Sequence, residues 1–475
     1  MNAPRFDNSY ARLPAQFYTK MSPTPVASPV LIRLNTGLAD EMGLDASWLQ
    51  GDAGLAMLAG NQMPDGADPL AQVYAGHQFG GWSQQLGDGR TNLLGEVEHA
   101  GKHWDIQLKG SGPTPYSRMG DGRSALGPVI REYIVSEAMH ALGVPTTRAL
   151  AAVSTGERVV RENGPISGGV LTRTASSHVR VGTFQFFAAR GEIDAVRDLL
   201  AFAITRHYPD LATDDALGFL AAVSKAQAKL VAKWMSLGFI HGVMNTDNCH
   251  VGGITIDYGP CAYMDAYHPA KVFSSIDQFG RYAYQAQPEI LVWNLAQLAT
   301  SLLPLIHDDR DKAIAAAQEV LGLFGDHYTA AWKAAFFAKV GLDEGDDKDI
   351  AMIQDLLSRM ADNQADFTLT FRLISEDGAA RDQFVDPTVF DTWHSAWKTR
   401  VGTDAHDQML AANPAIIARN HRVEDAIQAA LIGDYDPFNR LTEALQEPFD
   451  PSADFDDLRR PPEQSEQVLQ TFCGT

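Results

Sequence analysis

Asp247, Asn248 and Asp257 fall within eleven residues, and their types and spacing suit them to chemistry. An amide oxygen next to carboxylates is a hard-oxygen set that suits Mg²⁺ or Mn²⁺ and leaves positions for water and phosphate oxygens. Between Asn248 and Asp257 lies Gly252-Gly253, a tight-turn signal. From Gly253 to Asp257 the residues alternate, with Ile254 and Ile256 on one face and Thr255 and Asp257 on the other. The pattern predicts a short hairpin that brings Asn248 and Asp257 together at one end. Taken singly, a Gly-Asp-Gly is usually a turn and a lone Lys or Arg a solvated or salt-bridged side chain. The Asn248–Asp257 pair differs because the hairpin gives it a shared geometry.

These residues need elements to hold them. Trp104 to Lys109 alternates as a strand, with Trp104, Ile106 and Leu108 on one face and Asp105, Gln107 and Lys109 on the other. Glycine-rich segments flank it, Gln85-Leu-Gly-Asp-Gly-Arg90 before and Gly110 to Arg123 after. Pro128 opens a helix that runs through Leu142, with Gly143 and Pro145 beyond its end. Residues 148–175 read as strands. From about residue 183 the chain is mostly helical, with helices over 192–206 and 214–237, the second leading directly into His241. Residues 262–288 read as an irregular aromatic-rich loop. The expected organisation is an arm and helix over 1–60, a sheet-rich lobe over 61–180, a helical lobe over 181–445 and a mobile acidic tail over 446–475. That is an α+β, two-lobed arrangement, and ligands often bind between such lobes.

The 475 residues carry a formal net charge of −21, which argues against a general nucleic-acid or acidic-membrane binder. An anionic substrate would have to be met by a local cluster of Arg and Lys. Cys249, Cys261 and Cys473 are too few for a disulfide scaffold and fit a reducing compartment. The N-terminus lacks an apolar signal region, and no run of about 18 apolar residues occurs, so a cytoplasmic protein is expected.

The order of parts is a Gly-rich turn, a strand lysine, a helix glutamate, His241-Gly-x₅-Asn248 and Asp257-Tyr-Gly259, the order of the protein-kinase signature set. A bilobal protein-kinase-like fold follows as the expectation. One departure is informative. The kinase catalytic aspartate stands two residues after the histidine, and here that residue is Val243, which cannot accept a proton. An acid stands instead at Asp247. Either transfer chemistry has been lost, leaving a nucleotide-binding scaffold, or the base has moved and the chemistry with it. A conventional phosphotransferase using Asp247 as a displaced acid is a further alternative.

The chain resembles the selenoprotein O family. The resemblance rests on Phe6-Asp-Asn-Ser-Tyr-Ala-Arg-Leu-Pro14, Tyr74-Ala-Gly-His-Gln-Phe-Gly80, Gln85–Arg90 and Gln107-Leu-Lys-Gly-Ser-Gly-Pro-Thr-Pro-Tyr-Ser-Arg118. It extends through Arg131-Glu-Tyr133, His241-Gly-Val-Met-Asn-Thr-Asp-Asn248, Asp257-Tyr-Gly-Pro260 and Asn413-Pro414, across nearly the whole chain. It implies a pseudokinase that transfers AMP from ATP to Ser, Thr or Tyr of other proteins, with the nucleotide flipped relative to ordinary kinases. UMP transfer from UTP with Mn²⁺ is implied for bacterial members.

Carried over by motif, the resemblance puts Lys109 on nucleotide phosphates and pairs it with Glu132. It gives Gly87, Gly89, Arg90, Asp121 and Gly122 to the nucleotide pocket. It makes Arg173 and Arg180 a phosphate clamp, Asp247 the base, and Asn248 and Asp257 ligands of Mg²⁺ or Mn²⁺. On a helical wheel Glu137 lies nearer the apolar face than Glu132, so both stand as candidate partners of Lys109. ATP and protein substrates are the expected partners of a monomer that binds neither nucleic acid nor membrane. Members of the family carry Cys or selenocysteine third from the end, where Cys473 stands. In some it pairs with a cysteine in the loop after the Asp-x-Gly, at a position that aligns with Phe273. Cys261 is the substitute partner, giving an expected Cys473–Cys261 redox latch.

Overall fold

The computed structural model describes residues 2–161, 164–376, 378–401 and 405–471. The first part of the chain is a mixed-length antiparallel sheet and the remainder is helical, an α+β arrangement. The strands are β1 (Tyr18–Lys20), β2 (Val30–Leu34), β3 (Leu70–Gln72), β4 (Gly76–Gln78), β5 (Gly81–Ser83), β6 (Thr91–His99), β7 (Lys102–Lys109), β8 (Ser124–Ala125), β9 (Arg148–Arg161) and β10 (Gly164–Ala175). The main sheet runs β1-β3-β6-β7-β10-β9-β2, with β8 paired onto β10. β4 and β5 form a separate small hairpin.

The N-terminal arm supplies both outermost strands of the sheet. β1 pairs with β3 at one edge and β2 with β9 at the other, so the arm covers the backbone groups that both edges would otherwise expose. The three short helices Thr36–Glu41, Ala46–Leu49 and Asp52–Ala59 then cover one face of the sheet. Their Leu38, Leu49, Met57 and Leu58 pack with Leu94, Ile106, Leu108, Val153 and Val170. The helix Leu126–Ala141 packs on the other face, against β9 and β10.

β7 follows its sequence pattern. Ile106 and Leu108 enter the core beneath the short helices, and Asp105, Gln107 and Lys109 point to the opposite face. These polar side chains are buried too, so each needs a partner.

The helical part surrounds Ala216–Ser236, which packs against Gln287–Ile306 and Phe324–Lys339. The segment Tyr284–Ile306 is long and apolar enough by length and composition to cross a membrane, with mean hydropathy 1.4. Its Leu291, Leu295, Leu298 and Leu302 are buried in the core of this fold.

One expectation changes. Gly253 to Asp257 is not a hairpin strand. Thr255 instead bridges to Thr146 in parallel, its N–H donating to Pro145 O at 2.9 Å and its O accepting from Thr147 N at 2.9 Å. The segment is thus stitched to the stretch after the Leu126–Ala141 helix. Gly253 still turns the chain, at φ +67°. The long loop that carries Asp247, Asn248 and Asp257 is closed further out, where β11 (Phe239–Ile240) pairs with β12 (Ala262–Tyr263).

The segment after Glu447 lies on the body. Arg460 pairs with Glu466 at 2.6 Å, and Thr471 Oγ1 donates to Pro260 O at 2.5 Å. Cys261 is buried, and Cys473 falls outside the described residues, so the latch expected between them does as well.

Candidate active site

β7 and β10 place Gln107 and Arg173 directly opposite each other, in register and on one face. The Arg173 guanidinium accordingly donates to Gln107 Oε1 from Nε at 3.1 Å and from Nη2 at 2.6 Å. Gln107 Nε2 donates in turn to the buried Asp88 carboxylate at 3.2 Å. On the other side, Arg173 Nη1 reaches Glu132 Oε1 at 3.1 Å and Asp257 Oδ1 at 3.4 Å. Lys109 Nζ donates to Glu132 Oε2 at 2.5 Å and also to Asp257 Oδ1. One buried network therefore runs from the Gly-rich turn at Asp88, through two strands and a helix, to Asp257. A buried charge is tolerable only with partners of this kind.

The network decides between the two glutamates. Glu132 is the partner of Lys109. Glu137, also on the Leu126–Ala141 helix, accepts from Arg148 Nε at 2.9 Å and Nη2 at 2.7 Å, and from the Ala149 N–H at 2.8 Å. Its role is to tie the helix to β9.

Asp257 sits at φ +71°, in the left-handed region that aspartate tolerates better than most residues. Burial pushes its carboxyl up, but Lys109, Arg173 and Arg90 outweigh that and hold it well below the usual carboxylate range. Only Oδ1 is engaged by these cations. Asn248 closes the short turn Thr246–Asn248, and its Nδ2 donates to Val243 O at 3.0 Å, which leaves Oδ1 without a hydrogen-bond partner among the described residues. Two oxygen donors, Asn248 Oδ1 and Asp257 Oδ2, are thus presented at one cleft. Among the described residues no group of three His, Cys, Asp or Glu gathers at metal-binding distance. A cation here would complete its shell with water and phosphate oxygens, the habit of Mg²⁺ and Mn²⁺ rather than of a caged metal.

Asp247 is the other acid of the loop, 7% exposed. Its Oδ2 accepts from Gln78 Nε2 at 3.3 Å, while Oδ1 is buried with no hydrogen-bond partner. Burial raises its pKa to about 6, against the pull of the Arg180 guanidinium. Arg180 stacks over the Tyr74 ring at 4.4 Å and donates from Nη1 to the Asp247 backbone oxygen at 3.1 Å. Its Nη2 is buried and unpartnered. Arg180 thus has a donor to spare, whereas all three donor nitrogens of Arg173 are taken up by Gln107, Glu132 and Asp257.

Lys109, Arg173, Arg180, Asp247, Asn248 and Asp257 line one cleft of about 670 Å³, with Glu132 and Gln107 behind its wall. Its walls carry Arg90, Lys109, Arg118, Arg123, Arg161, Arg173 and Arg180 against Asp121, Asp247 and Asp257. In a chain of net charge −21 that is the local cationic cluster an anionic ligand requires. Gly87, Gly89 and Gly122 line it as well, for steric reasons. A Cβ on Gly87 would lie 2.5 Å from the Tyr116 ring, and one on Gly122 2.2 Å from the backbone of Gly112. The glycines let the two Gly-rich turns pack on each other and form the roof. Asp121 sits at the rim, where it pairs with Arg161 at 2.8 Å. A second cleft, of about 540 Å³ beneath the N-terminal arm, holds Glu96 paired to Arg206 and offers no comparable excess of cations.

Some supporting residues escaped the sequence reading. Gln107 holds Arg173 and Gln78 holds Asp247, while Asp88 fixes Gln107. Gln107 had a signal, lying on the same face of β7 as Lys109. His241 braces the loop, fully buried, with Nε2 3.0 Å from Ile256 O. His77 packs tilted against Trp82 and edge-on to Trp293, its Nδ1 accepting from Gln185 Nε2 at 3.0 Å.

A family model described as "Protein adenylyltransferase SelO" matches residues 2–446. The chain is 58% identical over 474 residues to "Protein nucleotidyltransferase YdiU" of Ruegeria sp. (strain TM1040), covering 99% of each chain. The protein of the same description from Jannaschia sp. (strain CCS1) is 57% identical over 480 residues, again with 99% of each covered. The one from Nitrobacter hamburgensis is 54% identical over 487 residues, covering 99% of this chain and 96% of the other.

Proposed function

The chain belongs to the protein adenylyltransferase SelO family, whose enzymes transfer nucleotidyl groups onto proteins, and we propose that this member moves AMP from ATP to Ser, Thr or Tyr hydroxyls of target proteins, with UTP as a second donor. The observation that carries the reading is Asp247. A carboxylate with one unpartnered buried oxygen, poised at about pKa 6 in a cation-lined cleft, is a general base in search of a proton.

In this reading the acceptor hydroxyl gives its proton to Asp247 as its oxygen bonds to the α-phosphorus, and pyrophosphate leaves. Arg180, with its free Nη2, meets the phosphate charge that grows as the P–O bond breaks. Lys109 is held by Glu132 where it can meet phosphate oxygens, and Arg173 keeps Glu132 and Asp257 in place. Asn248 and Asp257 would hold Mg²⁺ or Mn²⁺, which when bound would neutralise part of the triphosphate charge. The sheet, the lysine–glutamate pair and the Asp257-Tyr-Gly259 loop support a bilobal, kinase-like fold with the lobes meeting near residues 175–183. Val243, buried where a kinase would keep its catalytic aspartate, supports AMP rather than phosphate as the group moved.

The test supplies the protein and candidate acceptors with ATP labelled at the α- or the γ-phosphate and weighs the intact product. Label from the α-phosphate, abolished in Asp257→Ala, is the expected result. Label arriving only from the γ-phosphate would replace this reading with ordinary phosphoryl transfer.

A further inference from the structure

We infer that the β4–β5 hairpin and the turn at Ile276–Tyr282 form the docking ledge for the acceptor, and that it favours a hydroxyl-bearing segment with a neighbouring carboxylate side chain. This rests on the proposed function and adds what it leaves open, the chemistry of the protein substrate around the modified hydroxyl.

The hairpin is built onto the base. Gln78 of β4 donates to the Asp247 carboxylate, the His77 N–H donates to Thr246 Oγ1 at 2.8 Å, and the Phe79 N–H donates to Asn245 Oδ1 at 3.0 Å. The second wall joins at the same asparagine, where Tyr282 OH donates to Asn245 Oδ1 at 2.7 Å and packs on the Phe79 ring at 4.9 Å. Both segments are therefore fixed to the residues immediately before Asp247. The Asp277 carboxylate, accepting from the N–H groups of Arg281 and Tyr282, holds the turn.

What they present outward is unusual for this surface. Trp82 on the hairpin is 40% exposed, and Ile276 and Phe279 on the turn are 62% and 96% exposed, so both segments fixed beside the base carry large exposed apolar side chains. Arg281 of the turn is stacked over Trp293 at 4.9 Å and lies against the hairpin tip at Gly80, so it sits where the two segments meet. Most arginines of this acidic chain have a carboxylate partner, but Arg281 forms no ion pair among the described residues, and its buried Nε has no hydrogen-bond partner. An apolar ledge with a half-buried guanidinium that has no carboxylate partner among the described residues suits a segment that brings an apolar side chain and a carboxylate together. A chain of net charge −21 would otherwise repel such a segment, so the cation determines which acidic sequences can approach.

The test uses the full-length protein and a library of hydroxyl-bearing peptides in which flanking positions are varied among Asp, Ala and Lys, read by transfer of α-phosphate label. Wild type is expected to favour Asp-flanked peptides, and Arg281→Glu to favour Lys-flanked ones. Phe279→Ala, at a side chain too exposed to affect folding, is expected to raise the peptide KM roughly tenfold, the usual penalty of removing an aromatic anchor, with the ATP KM unchanged. Unchanged flanking preference in Arg281→Glu, together with an unchanged peptide KM in Phe279→Ala, would overturn the ledge and leave the proposed function standing. Absence of label from every peptide and protein would remove both.

Discussion

Lys109 and Glu132 form an ion pair that is buried on both sides, Nζ to Oε2 at 2.5 Å, with side chains 10% and 3% exposed. Glu132 uses its other oxygen for Arg173, so one carboxylate neutralises two cations that would otherwise repel each other. Glu132→Ala should therefore cost about 3–5 kcal/mol of stability, the usual penalty for breaking a buried pair, and should abolish transfer. Glu137→Ala should also lower the denaturation midpoint, because Arg148 loses its bidentate partner and keeps only the longer contact to Glu41, yet keep ATP binding. Chemical denaturation and nucleotide titration of the two variants separate the roles. Equal loss of ATP affinity in both would refute the assignment.

Asp247 links catalysis to pH. As a base it must be ionised, so kcat/KM should rise with pH through about 6 and then level off, and Asp247→Asn should lose both the rate and that limb. The stability effect has the opposite sign. The folded pKa is raised above the unfolded value of 3.8, so the folded protein holds this proton more tightly, and stability falls as pH climbs from about 4 to about 6. Above that range the ionised group costs about 3 kcal/mol, from roughly 1.4 kcal/mol per pH unit. Asp247→Asn should thus melt higher than wild type at pH 7.5, with the difference shrinking towards pH 4. A variant that melts lower at pH 7.5 would show that the buried carboxylate is compensated.

The sequence was most legible where the pattern is local. The alternation of β7 named both faces correctly, because strand periodicity survives even when the polar face is buried. It was least legible where pairing is distant. Three-residue β1 and five-residue β2 carry no signal that they cap opposite edges of one sheet, since their partners lie far along the chain. The hairpin expected at Gly253–Asp257 failed for the same reason. Thr255 found Thr146 across more than a hundred residues, and no local alternation reports that. The helical wheel placed Glu137 nearer the apolar face and left both glutamates as candidates, because a wheel does not report that each has its own arginine, Arg173 for Glu132 and Arg148 for Glu137. Asp247, Asn248 and Asp257 were recognisable as a group from spacing alone, although the turn that gathers them is not the one the spacing suggests.

Arg180 should respond to a change of shape as well as of charge. One arm of its guanidinium donates to the Asp247 backbone oxygen while Nη2 remains free, a division that a lysine ammonium cannot reproduce. Arg180→Lys is expected to lower kcat by roughly tenfold to a hundredfold, the scale of a charge-assisted hydrogen bond. The Asp247 limb of the pH profile should also move, since Arg180 is the main cation holding that pKa down. With a weaker hold the apparent pKa goes up. A pH–rate profile of the variant that superimposes on wild type after scaling would contradict the coupling.

Gly76 offers the most direct test of the free oxygen on Asp247. A Cβ at position 76 would lie 2.5 Å from Asp247 Oδ1, the unpartnered atom, and 3.0 Å from the Asp247 Cβ and Cγ. The nearest obstacle is the carboxylate, which can swing away, and the Asp247 Cβ needs to give by only a few tenths of an ångström, so the fold can survive. At Gly182 the same addition would meet the Ala75 carbonyl at 2.1 Å, where only backbone can move. Gly182→Ala should therefore act on stability, seen as a lower melting temperature. Gly76→Ala should melt near wild type and bind ATP normally, yet transfer about a hundredfold more slowly, the effect of an ångström-scale misplacement of a reacting group. If Gly76→Ala turns over at the wild-type rate, Asp247 is not the group that receives the proton.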